Sequence, residues 1–422
     1  MSRKCVWTAL NLIIAAGKLM NEKTENLPVT TRKTREANVS CVSNVHYVNV
    51  AHTADNIRAA DKDRLITSTA KADRVAAYHQ HIRRKWLILL LMTLLVFVLM
   101  LVCVNAGAAS LNPWDVLKTL AGFGDERATM VVWRIRLPRV IAALMAGAGL
   151  SISGCVMQNT MKNPLASPMT LGISNAAVFG ANLAIIVFSA GTILHTAGDS
   201  VAINNPYLVT IFAFACSMGA MGIILTLAKM RGFSPQSIIL AGVALGSLFT
   251  AGTTIIQYFA ADIKIAAAVF WAFGDLGRAS WNEVLILSVV VVVSLIFFFF
   301  QRWHYNALAN GEETAKALGV DTQRVRFWGL LVSALITSVA VSFLGMIGFV
   351  GLIGPQIMKR IIGADHRFLI PASALAGSAI LLIADTLART VISPVVLPVG
   401  ALTSLFGGPM FLYLLMRGQR VT

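Results

Sequence analysis

From Trp86 onward the chain consists of apolar runs separated by short polar breaks, and ten of those runs are long enough to enter a bilayer as helices. They cover residues 86–104, 138–160, 168–190, 207–229, 236–259, 281–301, 327–345, 347–363, 368–388 and 398–416. A membrane-crossing helix needs about 20 apolar residues. Hydrocarbon offers no water to pair with exposed N–H and C=O groups, so runs of this length and character must be helical. The sequence therefore predicts an all-α polytopic membrane protein with about ten transmembrane helices. The eighth run is irregular. Gly345, Gly348, Gly351, Gly354 and Pro355 crowd MIGFVGLIGP, and a break in the helix is expected there.

Composition agrees: 57% of residues are hydrophobic and 13% are charged, against about 25% charged in soluble domains. A net charge of +16 suggests nucleic acid in a soluble protein. Here the basic residues sit in clusters between apolar runs, without the interleaved aromatics of a nucleic-acid platform. No nucleic-acid partner is expected. The five cysteines, Cys5, Cys41, Cys103, Cys155 and Cys216, form no CxxC pair and read as small apolar fillers. His46, His52, His79 and His81 match no zinc spacing. No metal and no cofactor is expected.

Residues 1–82 differ from the rest. They carry twelve Lys/Arg and seven Asp/Glu and lack a long apolar run. Such a segment buries too little apolar surface for a core. It reads as a polar, disordered extension before a membrane domain at 83–422, and its removal is expected to leave the working of that domain intact. A weak signal-peptide pattern at Cys5–Gly17 is set aside, because Arg83, Arg84 and Lys85 directly precede the first span.

Ten spans place both termini on one side. With that side cytoplasmic, fifteen Lys/Arg fall inside, among them Lys162, Lys229, Lys316, Arg324, Arg326, Lys359, Arg417 and Arg420. Eight fall outside: Lys118, Arg127, Arg134, Arg136, Arg139, Lys264, Arg278 and Arg389. The bias follows the positive-inside rule. The outside cations run against it and call for a reason.

The stretch from Arg136 to Gly180 begins RLPR, continues as a helix crowded with small residues, passes the polar NPLASP and resumes as an apolar helix. Gly147 with Ser151 and Gly149 with Ser153 give overlapping small-xxx-small pairs, which allow close helix approach in a bilayer. A tight transmembrane hairpin with a polar hinge is expected. Arg136 and Arg139 sit at its mouth, and Arg389 follows Asp385 by one turn at the end of the ninth span. These arginines can snorkel or pair bidentately with carboxylates of a partner. Asp385 can simply be the i,i+4 partner of Arg389. The most polar stretch of the membrane domain, Asn306–Arg326, contains GEETAKALGV, which reads as a short amphipathic helix closed by a glycine cap. Two further breaks, Asn163-Pro164-Leu165 and Ser234-Pro235-Gln236, can end spans at fixed points, since proline lacks an N–H and disfavours helix at the residue before it.

RLPR, NPLA, GEETAKALGV, GFVGLIGP, GADHR, LPVG and GGPMFLYLL occur in this order. From Trp86 to Arg417 the chain resembles the FecCD family, the permeases of ABC importers for iron-siderophores, heme and cobalamin. The resemblance implies the type II ABC importer permease fold in the cell (inner) membrane. It implies docking of a soluble substrate-binding protein on Arg136, Arg139 and Arg389. It implies contact with an ABC ATPase subunit pair through Gly311, Glu312, Ala315, Ala317, Leu318 and Gly319. It implies a cytoplasmic gate at Asn163, Pro164 and Leu165, and at Ser234, Pro235 and Gln236 by position alone. A second permease copy or close relative would complete the pathway within the lipid bilayer.

Three departures stand out: Gln356 where a histidine usually follows the proline, Gly354 for valine or isoleucine, and Val395 with Val396 for an acidic residue before LPVG. The extension also departs, because the family normally begins just before its first span. No GxxxxGK[ST] loop is present, and Gly242–Ser247 lacks its lysine. No catalytic cluster appears, so the chain is not expected to be an enzyme. Energy would come from a partner's ATP hydrolysis, and the cargo would be an iron-siderophore, with heme or cobalamin as alternatives. A secondary transporter is the competing class. It is disfavoured because Asp385 is nearly alone as an intramembrane acid.

Overall fold

The computed structural model describes residues 78–106, 112–193, 201–203, 205–392 and 395–416. Residues Arg83–Thr422 form one compact unit. The polar extension up to residue 77, Cys5 and Cys41, His46 and His52, and Arg417 and Arg420 lie outside the described residues.

The first span is α1, Tyr78–Asn105. A short helix α2, Pro113–Leu120, precedes α3, a continuous helix over Glu126–Thr160. The third span is α4, Ile173–Val187, followed by a small antiparallel pair, β1 Gly191–Ile193 and β2 Val201–Ile203. Then come α5 Pro206–Met230, α6 Pro235–Tyr258, a short α7 Asp262–Ala272 and α8 Trp281–Phe300. The polar segment holds α9 Arg302–Ala309 and α10 Glu312–Ala317. The last four helices are α11 Thr322–Leu344, α12 Val350–Ile362, α13 His366–Thr390 and α14 Val399–Met416.

Each of the ten predicted runs is helical. Among the described residues seven helices are long and apolar enough to cross a membrane: α1, α3, α5, α6, α8, α11 and α13. The other three runs give shorter helices, α4, α12 and α14. The break in the eighth run lies at 345–348, before α12, where Gly345 adopts φ +79; Pro355 is accommodated inside the helix.

Helix α3 is the centre of the unit, packing on α13, α11 and α12. Its small residues explain this. A Cβ on Gly147 would lie 2.4 Å from the Gly377 carbonyl oxygen, so α3 and α13 meet backbone to backbone. The expected hairpin is corrected here: α3 and α4 scarcely touch, and α4 packs on α5 and α6 instead. The glycine face of α3 is occupied by α13 and α12, leaving α4 to diverge beyond the polar turn. That turn ends at Gly172, φ +72, where the backbone passes close to Gly242 and Gly246 of α6.

Candidate functional site

Candidate residues fall at two opposite ends of α3. At the end bearing its first turns, helix starts earlier than the apolar run suggests. Glu126–Thr129 opens it, and Met130–Arg136 is wound as a π-helix. Arg136 and Arg139 are therefore inside the helix body and buried, and the expectation of residues at a helix mouth is corrected. Asp385, fully buried, accepts from Arg139 Nε at 2.8 Å and pairs with Arg389 Nη2 at 3.0 Å. The i,i+4 pairing of Asp385 with Arg389 is thus present. Arg139 Nη2 also lies 3.5 Å from Asp275.

The remaining donors of these arginines close the end of α1. Arg136 Nη1 donates to the carbonyls of Val104 and Asn105 at 2.8 and 3.1 Å. Arg389 donates to those of Cys103 and Ala106 at 3.0 and 2.6 Å. Cys103 also meets Thr386 Oγ1 at 3.0 Å, so it belongs to this polar cluster rather than serving as a plain apolar filler. The same chemistry recurs nearby. Arg278 donates to the carbonyls of Phe270 and Trp271 at the end of α7, and Lys264 to that of Ile186 at the end of α4. A helix C-terminus presents unpaired carbonyls and partial negative charge, so cations belong there. This is a physical reason for cations to gather at this end of the bundle. Lys118, Arg127 and Arg134 remain exposed at this end.

At the opposite end Asn163, Pro164 and Leu165 form the turn after α3. Asn163 Oδ1 accepts from the Leu165 N–H at 2.9 Å, and Leu165 is 40% exposed. Pro164 is held from inside: Gln356 Nε2 donates to Gln158 Oε1 at 2.7 Å and to the Pro164 carbonyl at 3.4 Å. Gln158 in turn donates to the carbonyls of Gly351 and Leu352 at the start of α12. The departure at Gln356 is therefore an amide latch between the turn and the broken helix. The departure at Gly354 has a packing reason, since a Cβ there would meet Ser151 Oγ at 2.3 Å. Val395 and Val396 are exposed and nothing in the structure explains them. A cavity of about 310 Å³ opens beside the latch, lined by Asn163, Pro164, Gln356, Lys359 and His366. Ser234, Pro235 and Gln236 start α6: Pro235 is its first residue and Ser234 Oγ donates to Gln236 Oε1 at 2.9 Å.

The GEETAKALGV segment forms α10, entered at Gly311 and closed at Gly319, φ +78. The Val320 N–H reaches back to the Ala315 carbonyl at 2.9 Å, as in a glycine-capped helix end. Ala315 is fully buried, so it packs inward and is unavailable to a partner. Ala317, Leu318 and Gly319 are exposed, Leu318 by 68%. Glu312 pairs with Arg326 Nη2 at 2.7 Å and with Lys316 at 3.2 Å. The hydrogen bond from Arg326 is the main reason its carboxyl is held down at about 2. Arg326 itself is corrected from a loop charge to a buried side chain on α11, 1% exposed. Helix α9 is fastened to the core by Asn159 Nδ2 on the Tyr305 carbonyl, 3.0 Å, and by Asn306 between Asp365 and the His366 N–H.

Among the described residues no group of three or more metal-ligating side chains is present. A latch glutamine, a buried guanidinium and helix-capping arginines were all missed from sequence. The Gln356 latch, the Arg326 bonds to Thr160 and Phe233 and the Arg389 cap join residues between 93 and 286 positions apart.

The geometry matches known proteins. The model of the FecCD transport family matches residues 93–417. A Methanocaldococcus jannaschii chain named as an ABC transporter permease protein is 54% identical over 330 residues, 78% of this chain and 93% of the relative. The hemin transport system permease protein HmuU of Yersinia pestis is 37% identical over 326 residues, 77% of this chain and 93% of HmuU. A solved metal-chelate type ABC transporter, in an inward-facing conformation, superposes with a TM-score of 0.67 at 28% identity, covering 79% of this chain and 100% of that one. With the ten helical runs and the ordered motifs in place, this multi-pass membrane protein belongs to the FecCD transport family.

Proposed function

We propose that this chain is the membrane-spanning permease subunit of an ATP-driven importer. A second copy or a close relative completes the pathway, and a separate pair of ABC ATPase subunits supplies the energy. A soluble binding protein delivers the cargo. The termini are cytoplasmic, which puts α10 and the two gate breaks inside and the arginine cluster outside. The cargo is a ferric chelate. Relatives named for Fe(3+)-citrate and iron(3+)-hydroxamate import, each 33% identical, support this class. The 37% identity to the hemin permease keeps heme as the second reading.

One observation carries the proposal: α6 is as exposed as the lipid-facing helices but far less apolar. Only 22% of its most apolar window is buried, the same share as for α1, yet its mean hydropathy is 1.8 against 3.3. Its open face carries Ser247, Thr250, Ala251 and Thr254 at helical spacing, beside Asn175 of α4. Hydroxyls and an amide gain nothing from facing hydrocarbon. They suit a face covered by another subunit and shared with a water-filled path.

For docking, the buried Arg136, Arg139 and Arg389 hold the outer face together, and the exposed Lys118, Arg127 and Arg134 present charge to acidic groups of the binding protein. The test is reconstitution with the ATPase and binding protein in vesicles. ATP-dependent accumulation of a ferric chelate supports the proposal. Accumulation driven by a proton or sodium gradient without ATP would replace it with a secondary transporter.

A further inference from the structure

Arg326 stands where three parts of the inner face meet. It belongs to the second turn of α11, close to α3. Its Nε donates to the Thr160 carbonyl at 3.2 Å, the last residue of α3 and three positions before Asn163. Its Nη1 donates to the Phe233 carbonyl at 3.1 Å, one position before Ser234. Its Nη2 donates to Glu312 Oε2 at 2.7 Å, at the start of α10. One rigid guanidinium thus holds the backbone just ahead of both gate breaks and the helix placed against the ATPase.

We propose that Arg326 is the positioning residue that carries movement of α10 to both gate breaks at once; this rests on the importer reading above. The planar guanidinium has donors fixed in a fork, so the three partners cannot shift independently without losing a bond. The Thr160 carbonyl is at the C-terminal end of α3, where a cation is held by the helix dipole as well as by a hydrogen bond, and the Phe233 carbonyl lies in the turn between α5 and α6. Phe233 adopts φ +56, so the backbone of that turn is already committed to presenting its carbonyl. The third partner, Glu312, is the movable limb. Its carboxylate is partly exposed while Arg326 is not, so a displacement of α10 pulls on a group seated in the core. The neighbouring Arg324–Asp321 pair lies in solvent and transmits nothing.

The test uses the full permease–ATPase complex in vesicles, with a genetically encoded spin label at the exposed Leu165 of each copy. Distance between the two labels is measured with and without ATP and vanadate, alongside ATP hydrolysis and subunit co-purification. In complexes that retain the ATPase, Glu312→Gln should lower the ratio of nucleotide-shifted to unshifted label distances by about tenfold, the scale of one lost charge-assisted hydrogen bond. Arg326→Gln should abolish the change, and Arg326→Lys should restore part of it, because an ammonium can reach Glu312 but cannot serve both carbonyls in the same geometry. Arg324→Ala should behave as the unmodified protein. A purely structural role would instead lower co-purification and thermal stability together in both Arg326 variants. A full distance response in Glu312→Gln and Arg326→Lys overturns the proposal. An unmodified complex that co-purifies with no ATPase overturns the importer reading, and with it this inference.

Discussion

Asp385 is fully buried between two guanidiniums, and its removal should be felt by the whole outer face. Asp385→Ala leaves Arg389 without a carboxylate and Arg139 with only the 3.5 Å contact to Asp275, and breaking a buried pair this way costs about 3–5 kcal/mol. Thermal unfolding in detergent checks this, and an unchanged midpoint would mean the arginines find other partners. Arg389→Ala should lower stability too, since it releases the carbonyls at the end of α1. Glu312 gives a pH prediction. Its carboxyl is held at about 2, below the ordinary 4.5, chiefly by the hydrogen bond from Arg326. A depressed carboxyl contributes stability that is complete above the ordinary value and is lost as pH falls toward the folded one. Attachment of α10 should therefore be constant above about pH 5 and weaken between about pH 4.5 and 2. Amide exchange of residues 312–318 against pH measures it; protection lost already at pH 6 would exclude this pair as the cause.

At the scale of elements, close helix packing is the feature most open to test. A Cβ on Gly377 would lie 2.1 Å from the Gly147 carbonyl oxygen, so Gly377→Ala must push α13 off α3. Overpacking of this kind costs about 1–3 kcal/mol. Gly222→Ala on α5 is the control, because nothing lies within 4 Å of its added Cβ. It should be neutral, or stabilising by up to about 1 kcal/mol through helix propensity. Equal effects of the two substitutions on the unfolding midpoint would refute the packing account. Helix α10 gives the functional counterpart. Leu318→Glu changes a side chain 68% exposed, so folding should be untouched, while ATP-coupled uptake falls because a charge is forced into a subunit contact. Normal uptake by this variant would remove α10 from the ATPase interface.

At the scale of the molecule, the proposed second copy should cover the face of α6 bearing Ser247, Thr250 and Thr254. Cysteines placed at Thr250 of both copies should crosslink in membranes, whereas cysteines at Ile286 on the exposed face of α8 should not, since that helix has the hydropathy of a lipid-facing one. Crosslinking at 286 but not at 250 would put the interface elsewhere.

Sequence alone determined what depends on local composition. Ten apolar runs require helices because hydrocarbon leaves backbone groups no other partner. GEETAKALG carries its own helix start and glycine stop, and α10 lies where they set it. The order of motifs fixed the family. What sequence could not reach is set by which distant residues meet. The small residues of α3 announced close packing, but their partner proved to be α13 and α12, not the adjoining α4. Arg136, Arg139 and Arg389 announced charge in an unusual place, while the carbonyls at the end of α1 that occupy Arg389 are about 280 positions from it. Gln356 looked like a lost histidine until Gln158 and Pro164 stood beside it. Arg326 looked like one more inner-loop charge, and only the fold shows it buried among Thr160, Phe233 and Glu312. Helicity is satisfied within a segment and is written there; a hydrogen-bond partner across the bundle exists only once the helices have packed.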